Sequence, residues 1–268
     1  MSFHPLGIAL NPRSRTLYVV NHSPTGPSIE VLTLSADGRA ATHTRTIENP
    51  SLQAPNSIAP LWESDTELLI TNDHGWPYES SKILHTLESY LALPVASVVH
   101  FDLVTGEAKV LDHLPFANGV VALNATHVAV ASTSMQAIHI YEMDPDAKAL
   151  KLVQKLHPHF WTDNLKLDAD GKLLCAGHPH PFELVNVAQN NQFYNLDGAK
   201  GNKTLKSEVE RPRAPSWAVE WDGNPEGTLK DVYIGTEYGA STAASRDVKR
   251  KFGMISGLYE KGLLMYNM

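Results

Sequence analysis

The chain has 268 residues, of which 43% are hydrophobic and 19% charged, the make-up of a folded globular protein; a disordered, collagen-like or coiled-coil chain is excluded. The formal charge of -7, from 22 Lys and Arg against 29 Asp and Glu, provides no basic field for phosphates, so nucleic acid is not expected as a partner.

From the N-terminus the hydrophobic pattern is mostly of period two. It recurs in Thr16–Val20, Ile29–Leu34, Val98–Leu103, Ala137–Glu142 and Val232–Gly235, and such runs predict strands. The pairs Asp37-Gly38, Thr105-Gly106, Asp170-Gly171 and Asp222-Gly223 reverse the chain tightly between strands, which predicts antiparallel meanders rather than βαβ units. One helix stands out over Ser81–Leu91, capped by Ser80 and stopped by Pro94, with Ile83, Leu84, Leu87, Tyr90 and Leu91 on one apolar stripe. Residues 189–206 and 239–257 carry few apolar side chains and read as long surface loops. Cys175, the single cysteine, sits in the run Leu173-Leu174-Cys175-Ala176 and reads as a buried, inert thiol. No run nears the roughly 20 apolar residues of a membrane span, and Met1–Pro5 does not read as a signal peptide. Membrane contact is therefore not evident, and compartment and oligomeric state are left open.

A two-strand phrase recurs five times, starting at Gly7, Asn56, Asn118, Asn164 and Ser216, at intervals of roughly 45 to 60 residues as four-stranded propeller blades require. The expected fold is an all-β propeller forming one domain over 1–268, with about five blades' worth of strands and one inserted helix. First strands of propeller blades line the central channel. Three phrases place a carboxamide just before that strand: Asn56, Asn118, and Asn164 preceded by Asp163. Oxygen donors on one axis suit a hard cation such as Ca²⁺; equally, Asn favours the turn that enters a strand. Zinc spacings, a Gly-x-Ser-x-Gly elbow and a phosphate loop are missing. Of the histidines at second-strand ends, in His22, Asn72-Asp73-His74 and Gly177-His178-Pro179-His180, His22 is the leading general-base candidate, because an imidazole titrates near working pH. His43, His85, His113, His127 and His157 have no such context. Asn21, Asn124 and Asn202 head glycosylation sequons, which matter only in a secreted protein.

The stretches Tyr18–His22, Thr71–His74, Phe116–Gly119, Ile138–Glu142, Asp163-Asn164 and the helix Ser81–Leu91 with Tyr90–Leu93 resemble the paraoxonase/arylesterase family. The resemblance runs from Phe3 to Gly262–Asn267 and thins between 189 and 257. It implies a six-bladed propeller and a calcium-dependent hydrolase acting on a small lactone or aryl ester. It further implies Asn56, Asn118, Asp163 and Asn164 as ligands of the catalytic Ca²⁺, and His22 as one of two histidines that activate water. This sequence departs from the family at three places. Leu6 in His4-Pro5-Leu6-Gly7 stands where the family has its second histidine, and Ser57 stands where the family has an aspartate for a structural calcium. The family's N-terminal acidic pair has no counterpart, which makes a fragment lacking the first blade region the expectation. The competing readings are a gluconolactonase-like propeller hydrolase and a non-catalytic binding scaffold.

Overall fold

The computed structural model describes residues 3–144, 146–191 and 211–268. Nineteen strands and two helices are formed among them. The first sheet is β1 (Pro5–Asn11), β2 (Thr16–Ser23), β3 (Gly26–Leu34) and β4 (Ala41–Ile47). The second is β5 (Pro55–Pro60), β6 (Glu67–Asn72), β7 (Ala96–Asp102) and β8 (Ala108–Leu114), with helix α1 (Lys82–Leu91) inserted between β6 and β7. The third is β9 (Ala117–Ala122), β10 (His127–Ser132), β11 (Ala137–Asp144) and β12 (Ala149–Leu156). The fourth holds β13 (Trp161–Leu167), β14 (Leu173–His178), β15 (Ser216–Trp221) and β16 (Lys230–Gly235), with helix α2 (Pro181–Asn190) after β14. The last comprises β17 (Ser241–Asp247), β18 (Phe252–Gly257) and β19 (Leu264–Asn267). Every sheet pairs its strands antiparallel in chain order, the meander of a propeller blade. The predicted turn pairs act as expected: Gly38, Gly106, Gly171 and Gly223 all take positive φ between +68° and +84°, where glycine has no Cβ penalty.

The chain divides into two compact units, Met1–His157 with the first three sheets and Pro158–Met268 with the last two. In the first unit two apolar layers separate the sheets. Tyr18, Val20, Ile29, Ile58, Leu68, Ile70 and Phe101 fill one, and Leu69, Val98, Val120, Val130, Tyr141 and Met143 fill the other. Each fully buried side chain of this size contributes about 1.5–3 kcal/mol. In the second unit Leu174, Ala176, Ala218, Ala244 and Ile255 pack between its two sheets. Within the first unit β1 and β5 run side by side, as do β5 and β9. A Cβ on Gly7 would collide with the Asn56 backbone, so only glycine allows this approach.

Four expectations are corrected. The fifth two-strand phrase, from Ser216, does not open a blade: it is β15 and β16, the last two strands of the fourth sheet, and the last sheet begins at Ser241. Residues 239–257 are not a loop but hold β17 and β18. Most of their buried positions, among them Ala240, Ser241 and Ala244, are too small to register as an apolar pattern, and Ile255 is the one large apolar side chain buried there; the Ser241 hydroxyl donates to the Gly177 carbonyl at 2.9 Å. Residues 189–190 close α2, which starts with Pro181 at a position where its missing N–H costs nothing; 192–206 lie outside the described residues. Helix α1 is capped by Ser81, not Ser80: Ser81 is extended at φ -163°, ψ 106°, and its Oγ accepts from Leu84 N. The orientation of α1 is the larger surprise. Its apolar stripe faces outward, with Ile83 74% and Leu91 62% exposed, while Glu88 is fully buried and Ser89 nearly so. About five blades' worth of strands is present, as expected; a sixth blade is not found among the described residues.

Candidate functional site

All five first strands carry an irregularity near their start. Pro5 pairs with Asn21 but Ile8 with Val19, Pro55 with Asn72 but Ile58 with Ile70, and Ala117 with Ser132 but Val120 with Val130. The same extra residue occurs between Thr162 and Leu165 of β13 and between Ser241 and Ala243 of β17. Each is a β-bulge, which leaves a residue out of the ladder and re-aims its side chain. The bulges contain Leu6-Gly7, Asn56-Ser57, Asn118-Gly119, Asp163-Asn164 and Thr242. The carboxamide repeat thus lies inside the first strands at bulges, and not in the turns that enter them.

In the first unit, Asn56 Nδ2 donates to Asp73 Oδ2 at 3.0 Å. Asn118 Nδ2 donates to Thr133 Oγ1 at 3.2 Å, while its Oδ1 is buried with no hydrogen-bond partner. A buried amide oxygen without a donor is costly, and a cation would satisfy it. Ser57 is tied into the fold: its N–H donates to Thr71 Oγ1 at 3.0 Å, and its own Oγ accepts from Val120 N at 3.3 Å. In the second unit, Asn164 Nδ2 donates to Asp163 Oδ1 at 3.0 Å, and Asp163 Oδ2 lies 3.1 Å from His178 Nε2. Asn56, Asn118 and Asn164 therefore all use their donor ends on protein acceptors, which turns their oxygens to other work. The described residues contain no group of three or more His, Cys, Asp or Glu arranged to hold a metal; the set at the bulges has a single carboxylate. Cys175 is buried, and burial first, then the nearby Asp163 charge, push its thiol far up, so it is inert as expected.

His22 projects from the end of β2 into a cavity of about 550 Å³ whose walls also include His4, Asp73, Tyr78, Glu79 and His85. His22 Nε2 lies 2.6 Å from the Pro55 carbonyl. A carbonyl only accepts, so Nε2 carries the ring proton and Nδ1 keeps a lone pair. Behind the cavity, Asp73 Oδ1 holds His74 Nδ1 at 2.8 Å, and His74 Nε2 meets Ser89 Oγ at 2.8 Å. The His74 ring stacks on His85 at 3.8 Å and contacts Phe116 at 4.5 Å. The Glu88 carboxylate accepts from Gly75 N at 2.9 and 3.1 Å and from Trp76 N at 3.0 Å, pinning the segment after Asp73-His74 to α1.

Of the expected site residues, His22 shares a cavity wall with Asp73, and Asn56 bonds to the same Asp73. Leu6 occupies the first sheet's bulge as a partly exposed apolar side chain. Sequence reasoning missed His85 and Glu88, whose roles depend on which face of α1 turns inward. Among the sequons, Asn21 is buried and bonded to Glu30 Oε1 at 3.0 Å, Asn124 is exposed in a turn, and Asn202 lies outside the described residues. No helix among the described residues is long and apolar enough to cross a membrane.

Comparison with known proteins relates this arrangement to a family. Residues 1–195 match the arylesterase family. The chain is 29% identical over 245 residues to serum paraoxonase/lactonase 3 of Oryctolagus cuniculus, covering 87% of this chain and 65% of that protein. It is 29% identical to serum paraoxonase/arylesterase 1 of Mus musculus, covering 87% and 64%. The chain thus spans about two-thirds or less of the length of these curated relatives. Among solved structures, a chain of the nidogen/laminin complex superposes with a TM-score of 0.60 at 12% identity, covering 99% of this chain and 76% of that one. Hydrazine synthase of Kuenenia stuttgartiensis gives 0.54 at 14%, covering 94% and 55%; at such identities the likeness is one of fold alone. Because the family match takes in 195 of the 268 residues and runs through the bulges that carry Asn56, Asn118 and Asp163-Asn164, this protein belongs to the paraoxonase/arylesterase family.

Proposed function

We propose that the chain is a Ca²⁺-dependent hydrolase that opens lactones and cleaves aryl esters, with Asn56, Asn118, Asp163 and Asn164 as the protein ligands of the cation. The observation that carries this reading is the bulge repeat. It takes oxygen donors out of the ladder in strand after strand, turns the amide NH₂ groups to protein acceptors, and leaves Asn118 Oδ1 buried and unpaired. All-oxygen donors suit a hard cation, and one carboxylate among three amides implies weak affinity, since charge count tunes Ca²⁺ binding. When bound, Ca²⁺ supplies positive charge that polarises the substrate carbonyl and stabilises the developing oxyanion.

The protein's own groups do the rest. His22 presents the Nδ1 lone pair to the cavity because Nε2–H is committed to Pro55, and there it holds the attacking water. A histidine or carboxylate of the site takes the water proton, and the cavity of about 550 Å³ has room for a small ester or lactone. A second reading, a non-catalytic scaffold, is favoured by Leu6, which puts an apolar side chain at the bulge where the family carries a histidine. The two separate on turnover of phenyl acetate and of a medium-chain lactone, with added calcium or with excess chelator. Hydrolysis that stops with chelator and with Asn118→Ala supports the hydrolase. No turnover, together with a melting curve that chelator leaves unchanged, supports the scaffold.

A further inference from the structure

We propose that His85, on helix α1, is a catalytic base of this cavity, its Nε2 taking the proton of the water that His22 holds. The inference rests on the hydrolase reading above and names the proton acceptor which that reading leaves open. His85 and His22 are walls of the same cavity. His85 Nδ1 lies 3.3 Å from the Trp76 carbonyl, and since that oxygen only accepts, Nδ1 carries the proton and Nε2 is bare. The ring is fixed on both sides, stacked on His74 at 3.8 Å and met edge-on by Tyr78 at 5.5 Å. His74 is in turn held by Asp73 and Ser89, so the base stands on a supported platform rather than on a mobile loop. His4, the other histidine of the cavity, is exposed.

The charged and titratable groups around His85 are Asp73, His74, Glu88 and Tyr78, the last with Lys82 Nζ 5.0 Å above its ring, and His4, His22 and Glu79 share the cavity with it. Burial first, then His74, hold the His85 imidazole below its ordinary value, against the opposing pull of the Trp76 carbonyl, Asp73 and Glu88. The ring is accordingly a neutral proton acceptor at pH 7. In the step itself, the water oxygen bonds to the ester carbonyl carbon as one water proton passes to His85 Nε2. The bond from that carbon to the leaving oxygen then breaks, and the proton on His85 goes to the leaving alkoxide or aryloxide. Ester and water become acid and alcohol, with no other reactant needed.

The test compares His85→Gln, which keeps a good helix former at this position, with the unmodified chain in the presence of calcium. The expected result is a fall in kcat of roughly 10²- to 10⁴-fold, the usual share of a general base. The acidic limb of the kcat/KM profile should disappear as well, and His127→Gln, at the first residue of β10 and outside the cavity lining, should leave both unchanged. A second readout is independent of turnover: the ¹⁵N spectrum of the His85 ring should show the Nδ1–H tautomer at pH 7 and titration below the ordinary histidine range. Turnover by the unmodified chain with an unaltered rate and acidic limb in His85→Gln overturns the assignment while leaving the hydrolase standing. An Nε2–H tautomer or a cationic ring at pH 7 also overturns it. No turnover by the unmodified chain refutes the hydrolase itself, and the assignment with it.

Discussion

Replacing Glu88 by alanine tests the unexpected orientation of α1. The Glu88 side chain is fully buried and serves two backbone donors, Gly75 N through both carboxylate oxygens and Trp76 N through one. Truncation leaves both N–H groups without an acceptor, at about 1–3 kcal/mol each. Gly75 and Trp76 are themselves only partly buried, so water recovers some of this, and the expected loss is about 3 kcal/mol. Near the melting temperature that corresponds to a fall in Tm of roughly 6–12 °C for a chain of this size. Glu88→Gln keeps one acceptor oxygen and should lose about half as much. Urea unfolding followed by tryptophan fluorescence measures both, and amide exchange at Gly75 and Trp76 should quicken in step. If Glu88→Ala costs under about 1 kcal/mol and leaves those amides protected, the carboxylate is not what anchors the helix.

Leu87→Ala on the outward face of the same helix should change stability by no more than about 0.5 kcal/mol, because Leu87 is 44% exposed; a loss above 2 kcal/mol in the same urea assay would mean the stripe is covered. Adding calcium at 100 times its dissociation constant should stabilise the chain by about 2.7 kcal/mol, and Asn118→Ala should reduce that gain in calorimetry. Arg246, buried between Asp168 at 3.2 Å and Glu220, should cost about 3 kcal/mol when changed to alanine, since Asp168 then lies buried without its cation while Glu220 keeps only Lys172 and the exposed Lys230. The same network sets a pH dependence. Burial alone would raise Glu220, but hydrogen bonds and charge from Arg246 and Lys172 outweigh it and hold the carboxyl below its ordinary value. A depressed carboxylate stabilises the fold above its unfolded pKa, and that contribution is lost as pH falls through the folded pKa. Stability should therefore decline on acidification below about pH 4.5, and less steeply in an Arg246→Met, Glu220→Leu double variant.

The blade pattern was legible in the residues because strand period and turn chemistry are local. Alternation in Thr16–Val20 or Ala137–Glu142 needs no partner to be recognised, and glycine after Asp or Thr at a reversal reflects a backbone conformation that one residue decides. Sequence also placed Asn56, Asn118, Asp163 and Asn164 at equivalent points of successive repeats, and marked His22 and Asp73-His74. It did not distinguish a turn from a bulge, since a bulge is a mismatch between two strands and has no signature in either one. Strands β17 and β18 escaped because small residues, Ser241, Ala244 and Gly257, sit at their close contacts and leave Ile255 as a lone large buried apolar side chain, too little for an alternating pattern.

What the sequence determined by itself is the repeat through its first four phrases, the meander, and the family whose motifs it carries; the phrase from Ser216 lies inside the fourth sheet, and the last sheet starts at Ser241. Only the tertiary structure decided which face of α1 turns inward. An amphipathic pattern says that two faces differ but not where water lies, and here three hydrogen bonds to Glu88 draw the polar side in and leave Ile83 and Leu91 outside. That choice brings His85 to the cavity beside His22, because residues 85, 88 and 89 share one side of a helix with 3.6 residues per turn.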